Sequence, residues 1–169
     1  MVTAKDIETW CGHRCVDFHY GHIALMDVKD KARELGAAMP DYLRYMERTT
    51  AGTPAFTIID QGKVALSFGV FPIWPGLGEG WMVPSNHIDG RAIALIKGAR
   101  IVFNKIGTAM QLRRLQFMVR SSHLQAARFA EALYFQKEAT LKAYGPEGDD
   151  YHVYVRFYDG RNHIKAKDA

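Results

Sequence analysis

Cysteine is scarce in this chain, with only Cys11 and Cys15 among 169 residues. Two thiols are too few for the disulfide framework of a small secreted domain, so a reducing cytosol is the simpler place of synthesis. Long apolar runs are missing too. Charge interrupts the hydrophobic stretches every few residues, and no window reaches the roughly 18–20 apolar residues that a membrane span needs. Residues Met1 to Trp10 are polar and acidic where a signal peptide would be basic and then apolar, so no leader is expected. Repeats, low-complexity tracts and linkers are absent, which makes residues 1–169 one domain. A composition of 48% hydrophobic and 24% charged residues, with 15 Gly and 6 Pro, excludes fibrous and disordered classes. The 22 Lys and Arg exceed the 18 Asp and Glu by four, a mild excess spread along the chain. It permits an acidic partner without demanding one, and direct nucleic-acid binding is not indicated.

Two hydrophobic periods alternate along the chain. Ile23, Leu25, Met26, Val28, Ala32 and Leu35 predict a helix from about His22 to Leu35 that Gly36 stops. A second, short helix is expected over Pro40 to Arg48, with Tyr42, Leu43, Tyr45 and Met46 inward. Ala55 to Asp60 and Lys63 to Val70 are β-rich runs joined by Asp60-Gln61-Gly62-Lys63, an antiparallel hairpin in which Gly62 takes positive φ. Trp74-Pro75-Gly76-Leu77-Gly78-Glu79-Gly80 is expected to be irregular and to lead into the apolar run Trp81-Met82-Val83. From Ile88 to Ile106 apolar residues recur at three and four, an amphipathic helix. Arg113 to Arg120 alternates as a strand, with Leu115, Phe117 and Val119 on one face. Ser122 followed by Gln125 has the form of a capping box ahead of a helical stripe at Leu124, Ala127, Ala130 and Leu133. Phe135 to Leu141 and Tyr151 to Tyr158 close the chain as two strands. The order predicts an α/β domain with a mixed sheet.

Few side chains form chemically specific groups. Cys11, His13, Cys15, His19 and His22 are the densest metal-capable set, but Cys-x₃-Cys lacks a second ligand pair at a defined spacing, so no metal is expected. Arg113, Arg114, Arg120 and His123 can hold phosphate or nucleic acid, but such a set more often marks the solvated side of a strand and a helix start. Phe71, Trp74, Trp81, Tyr134, Tyr144 and Tyr158 gather around loops and strand ends, where both sheet packing and a greasy contact surface are open to them. The stretch from Arg161 to Ala169 is a basic tail with little to bury.

The closing order of strand, Ala-rich helix, strand, Tyr-Gly-Pro turn and strand resembles the GNAT (Gcn5-related N-acetyltransferase) fold over about residues 20–158. Gly76-Leu77-Gly78-Glu79-Gly80-Trp81, the Arg-bearing helix after Asp89, and Tyr144-Gly145-Pro146-Glu147-Gly148 are similar to a divergent GNAT-like family encoded by tailed, mostly short-tailed, bacteriophages. The resemblance implies a GNAT-like mixed β-sheet flanked by helices. It also implies a V-shaped split between Trp81–Val83 and Arg114–Val119, with the strand at Met82 beside that at Phe117.

In that family a glycine-rich loop after the fourth strand closes backbone N–H groups on the coenzyme A diphosphate at a helix N-terminus. Here Pro84-Ser85-Asn86-His87-Ile88-Asp89-Gly90-Arg91 keeps one glycine, and Asp89 opposes the diphosphate. The family's cofactor-touching Asn falls on His123, and its proton-donating Tyr falls on Ala130, which can donate nothing. The implied cofactor-binding positions are Val83, Ser85, Gly90, Arg91 and His123. Glu79, with His87 as a second choice, is the candidate base, and Tyr134 is a displaced candidate acid. The expectation is therefore a degenerate acetyl-CoA site with no bound cofactor. Its bearer would be a non-catalytic virion component, internal or head-to-tail connector, present in many copies against other virion proteins. An active acetyl-CoA-dependent N-acetyltransferase is the alternative.

Overall fold

The computed structural model describes residues 2–27, 41–86 and 92–158. Seven strands form one sheet in the order β1-β2-β3-β4-β5-β7-β6. They are β1 (Arg14–Asp17), β2 (Ala55–Asp60), β3 (Lys63–Trp74), β4 (Leu77–Pro84), β5 (Arg114–Arg120), β6 (Gln136–Leu141) and β7 (Tyr151–Phe157). Every neighbouring pair is antiparallel except β4 with β5. A parallel pair requires a crossover, which the 18-residue helix spanning Ala92–Ala109 supplies. With helices Ala4–Cys11 (α1), Gly21–Ala24 (α2), Tyr42–Thr50 (α3), Ala92–Ala109 (α4) and Leu124–Ala132 (α5), the chain is the expected α/β fold with a mixed sheet.

The core lies between the sheet and α4 with α5. Phe103 of α4 is 1% exposed and sits edge-on to Phe68, Phe117 and Phe135, with centroids 6.1, 5.3 and 6.3 Å away. Such rings contribute area burial plus a quadrupolar preference for edge contacts. The β2–β3 hairpin closes as the sequence requires: Asp60 pairs with Lys63, and Gln61 and Gly62 take φ of 49° and 76°. Positive φ at both central residues matches the right-handed twist of the flanking strands.

Several boundaries depart from the sequence reading, each for a local reason. Helix α1 and strand β1 were not legible from hydrophobic period. Yet α1 carries a complete capping box, with Thr3 and Asp6 exchanging side-chain and backbone bonds, and a left-handed Gly12 at its end. Its Ile7 is fully buried, and the helix packs on α4. Of the helix expected from His22 to Leu35 the described part is the short α2, followed by an exposed Leu25, and what remains of the expected span beyond Asp27 falls at positions 28–40, outside the described residues. In α3 Met46 is buried as expected, while Tyr45 is exposed. The stretch from Trp74 to Gly80, expected to be irregular, is a strand end, a turn at Pro75-Gly76 and the start of β4. Gly78 and Gly80 are strand residues, and neighbours occupy their Cβ space. A side chain at Gly78 would meet Val70 and Leu112, and one at Gly80 would fall 2.3 Å from the Phe117 ring. The cap of α5 is His123, not Ser122: its Nδ1 accepts from Ala126 N at 3.4 Å. The basic tail and the start of the helix expected at Ile88 lie outside the described residues.

Candidate active site at the foot of the β4–β5 split

β4 and β5 pair from Leu77↔Arg114 to Gly80↔Phe117 and no further. Beyond that point residues 81–84 keep their pairing with β3 and residues 118–120 theirs with β7, so the sheet opens between them. The expected V-shaped split is thus present, with Met82 beyond the last β4–β5 pair.

Strand alternation sorts the site residues onto two faces. Gly78 and Gly80 look toward α4, so Glu79 and Trp81 look away from it. At the foot of the split Gln116 Nε2 donates to Glu79 Oε2 at 3.1 Å, while Gln116 Oε1 accepts from Arg114 Nε at 3.2 Å. This orientation of the amide satisfies both neighbours. Arg114 in turn donates two bonds, 2.9 and 2.6 Å, to the Glu138 carboxylate. A polar chain therefore runs Glu138–Arg114–Gln116–Glu79 across β6, β5 and β4. Tyr144 stands near it, its phenol raised by burial and then by the Glu79 charge. Gln116 was not singled out in the sequence, because its partnership with Glu79 depends on β4–β5 register and not on any local pattern.

Among the described residues the opposite face is packed at the foot of the split. The Phe117 ring covers Gly80 and meets Phe135 at 4.8 Å. Behind Met82 a cavity of about 40 Å³, room for water-sized guests, is lined by Cys11, Phe68, Ala99 and Phe103.

Tyr134 lies on this face. It sits at φ 67°, just past the end of α5, with its ring against Arg100 at 4.3 Å and Arg156 at 5.7 Å. Glu79 and Tyr134 are therefore on opposite sides of the sheet, and the structure does not bring the candidate base and acid together. Ala130, at the family's Tyr position, is buried in the core.

Of the expected cofactor positions, Val83 and Ser85 are buried at 5% and 1% exposure. The N–H groups after the strand are engaged within the chain, Ser85 N with Ala65 O at 3.0 Å and Asn86 N with Asp27 O at 2.8 Å. His123 spends its Nδ1 on the α5 cap. Gly90, Arg91 and His87 lie outside the described residues. The described positions do not fit a diphosphate cradle, which needs N–H donors aimed at the ligand.

The remaining candidates are engaged elsewhere. Arg120 bridges to Asp149 at 2.5 Å and Glu147 at 3.0 Å, fastening the Tyr144–Gly148 turn to the end of β5, and Arg113 donates to Pro75 O. Cys15 is buried and its thiol is pushed up to about 12 by that burial, and burial also raises Cys11. Among the described residues no three His, Cys, Asp or Glu side chains assemble into a metal site, and no helix is long and apolar enough to cross a membrane.

Neither protein-family models nor curated protein sequences match the chain. Solved structures do. A GNAT-family acetyltransferase from Bacillus anthracis superposes with a TM-score of 0.65 at 13% identity, over 85% of this chain and 93% of that one. The ribosomal-protein-S5-alanine acetyltransferase of Vibrio fischeri gives 0.59 at 14% identity, over 95% and 92%. An N-acetyltransferase from Staphylococcus aureus Mu50 gives 0.59 at 17% identity, over 85% and 96%. Likeness at this level of identity is a likeness of fold, and with the β4–β5 split and the strand order it makes the chain a GNAT-fold protein.

Proposed function

We propose that this GNAT-fold chain is a non-catalytic component that keeps the acetyltransferase framework as a binding scaffold, serving in a phage virion as an internal or head-to-tail connector protein. The observation that carries the loss of catalysis is the separation of Glu79 and Tyr134 onto opposite faces of the sheet, with buried Ala130 where the family places its proton donor. A general acid must come within hydrogen-bond reach of the leaving thiolate, and the Tyr134 ring lies instead against Arg100 and Arg156. The N–H groups of Ser85 and Asn86, both engaged within the chain, support the same reading. The virion setting rests on the likeness of Gly76–Trp81 and Tyr144–Gly148 to the phage family, and fold alone does not supply it.

Calorimetry with acetyl-CoA tests the reading. Weak or absent binding is expected, and a dissociation constant in the low micromolar range, about −8 kcal/mol, overturns it. Mass spectrometry of purified phage particles and light scattering of the isolated protein test the setting. Presence in the particle and a multi-copy assembly are expected, and a stable monomer absent from particles removes the virion role.

The alternative, an active acetyl-CoA-dependent N-acetyltransferase, is favoured by one feature, the split itself with the Glu79 carboxylate at its foot. In that reading Glu79 takes the proton of an acceptor amine. Glu79→Gln keeps the shape and the Gln116 neighbour, and should then cost about 10² to 10⁴ in turnover.

A further inference from the structure

The half-buried arginines of β5 have acidic partners: Arg114 holds Glu138 and Arg120 holds Asp149 with Glu147. Arg100 of α4 and Arg156 of β7 do not. Arg156 is 9% exposed, and its guanidinium donates to Leu133 O at 3.3 Å and to Asn104 Oδ1, both neutral acceptors. Arg100 donates from Nε to Ala132 O at 2.8 Å. No carboxylate among the described residues lies within ion-pair distance of either. The two cations share one ring, Tyr134, at 4.3 and 5.7 Å, and Tyr158 stands 5.4 Å from Arg156.

The carbonyls at the end of α5 offset part of this charge, because a helix C-terminus carries about half a negative charge. Two guanidinium groups bring two positive ones. Burying a cation without a counter-charge is costly even when its hydrogen bonds are made, and the half charge of the helix end with the faces of Tyr134 and Tyr158 offsets only part of the two positive charges. Tyr134 takes φ 67° as the left-handed residue that ends α5, with Phe135 N bonded back to Ala130 O at 3.1 Å, and this fixes its ring as the surface on which Arg100 lies.

We propose that the Arg100–Arg156–Tyr134 cluster is a binding site for a small phosphate-type oxyanion, separate from the β4–β5 split. The planar guanidinium offers paired N–H donors suited to such oxygens, and Tyr134 holds Arg100 in place.

The test uses the full chain and inorganic phosphate, exchanged for chloride at constant ionic strength and pH 7. Phosphate at ten times its dissociation constant should shift the folding equilibrium about 11-fold, equal to about 1.4 kcal/mol and roughly 3–6 °C in Tm. Arg100→Gln should lose this increment whatever its own basal stability, and Arg100→Lys, which keeps the charge, should retain part of it. Arg91→Gln should leave it intact, which separates this site from a coenzyme A site. The proposal fails if phosphate stabilises the wild type no more than chloride does, if Arg100→Gln keeps the increment, or if Arg91→Gln abolishes it. If Arg100→Gln does not fold, calorimetric titration of phosphate into the wild type and into Arg100→Lys decides, with unchanged affinity in the lysine variant or no heat in the wild type counting against the site.

Discussion

His22 shows how a single side chain ties a short helix to the sheet and makes stability depend on pH. Its Nδ1 accepts from His19 N at 3.2 Å and lies 2.9 Å from Thr57 Oγ1, which is 3.0 Å from Ser67 Oγ. A nitrogen that accepts a backbone N–H carries no proton, so the Thr57 hydroxyl donates to it and the imidazole is neutral in the fold. Burial, and then the neighbouring His19, hold its pKa below the ordinary 6.5. The unfolded chain therefore binds the proton first as pH falls. The stabilisation is complete above about 6.5 and is lost as pH drops through the lower folded value. Urea unfolding between pH 7.5 and 5 should show the wild type losing stability while His22→Gln, which has no titrating ring, loses less. Equal slopes in the two proteins would remove His22 from the pH dependence.

Helix α4 sets local preference against packing at Gly107. By propensity alone Gly107→Ala in the interior of a helix gains about 1 kcal/mol. In the fold the added Cβ falls 2.3 Å from the Tyr158 ring, whose phenol is anchored to Phe103 O at 2.8 Å and pushed up to about 12 by burial. Overpacking costs about 1–3 kcal/mol. Packing should win, so the variant is expected to be less stable than the wild type in a denaturant titration, and a gain would show that Tyr158 can swing aside. Gly78 and Gly80 show the same contest: turn-forming residues by composition, they are strand residues, and Val70, Leu112 and Phe117 fill their Cβ positions.

At the scale of the whole molecule, α1 is part of the core rather than an appendage to the sheet. Ile7 is fully buried, and α1 packs on both α4 and β1. Ile7→Ala should cost about 2–5 kcal/mol in unfolding free energy. A loss below about 0.5 kcal/mol, the size of an ordinary surface substitution, would mean that the helix packs loosely. The expected common core began at about residue 20, and it was short of this layer because eight residues of α1 hold one fully buried position, too few to give a periodic hydrophobic signal. The cap signals at Thr3, Asp6 and Gly12 could have found it.

The sequence by itself determined most of the elements. Period 2 and period 3.6 located the β2–β3 hairpin, β5, β6, β7 and the body of α4, and Asp60-Gln61-Gly62-Lys63 specified its own turn, because these preferences are local. Of the candidate site it determined which residue types were present, and the GNAT resemblance supplied the expectation that Ala130 stands where a tyrosine would. Only the tertiary structure decided which of them meet. The pairing of Glu79 with Gln116 needs the parallel register of β4 on β5, set by the crossover through α4, and the parting of Glu79 from Tyr134 needs the sheet between them. The gathering of Arg100, Tyr134 and Arg156 likewise draws on α4, the residue after α5 and β7. Contacts between residues tens of positions apart are selected by the packing of whole elements, and no local pattern encodes that choice.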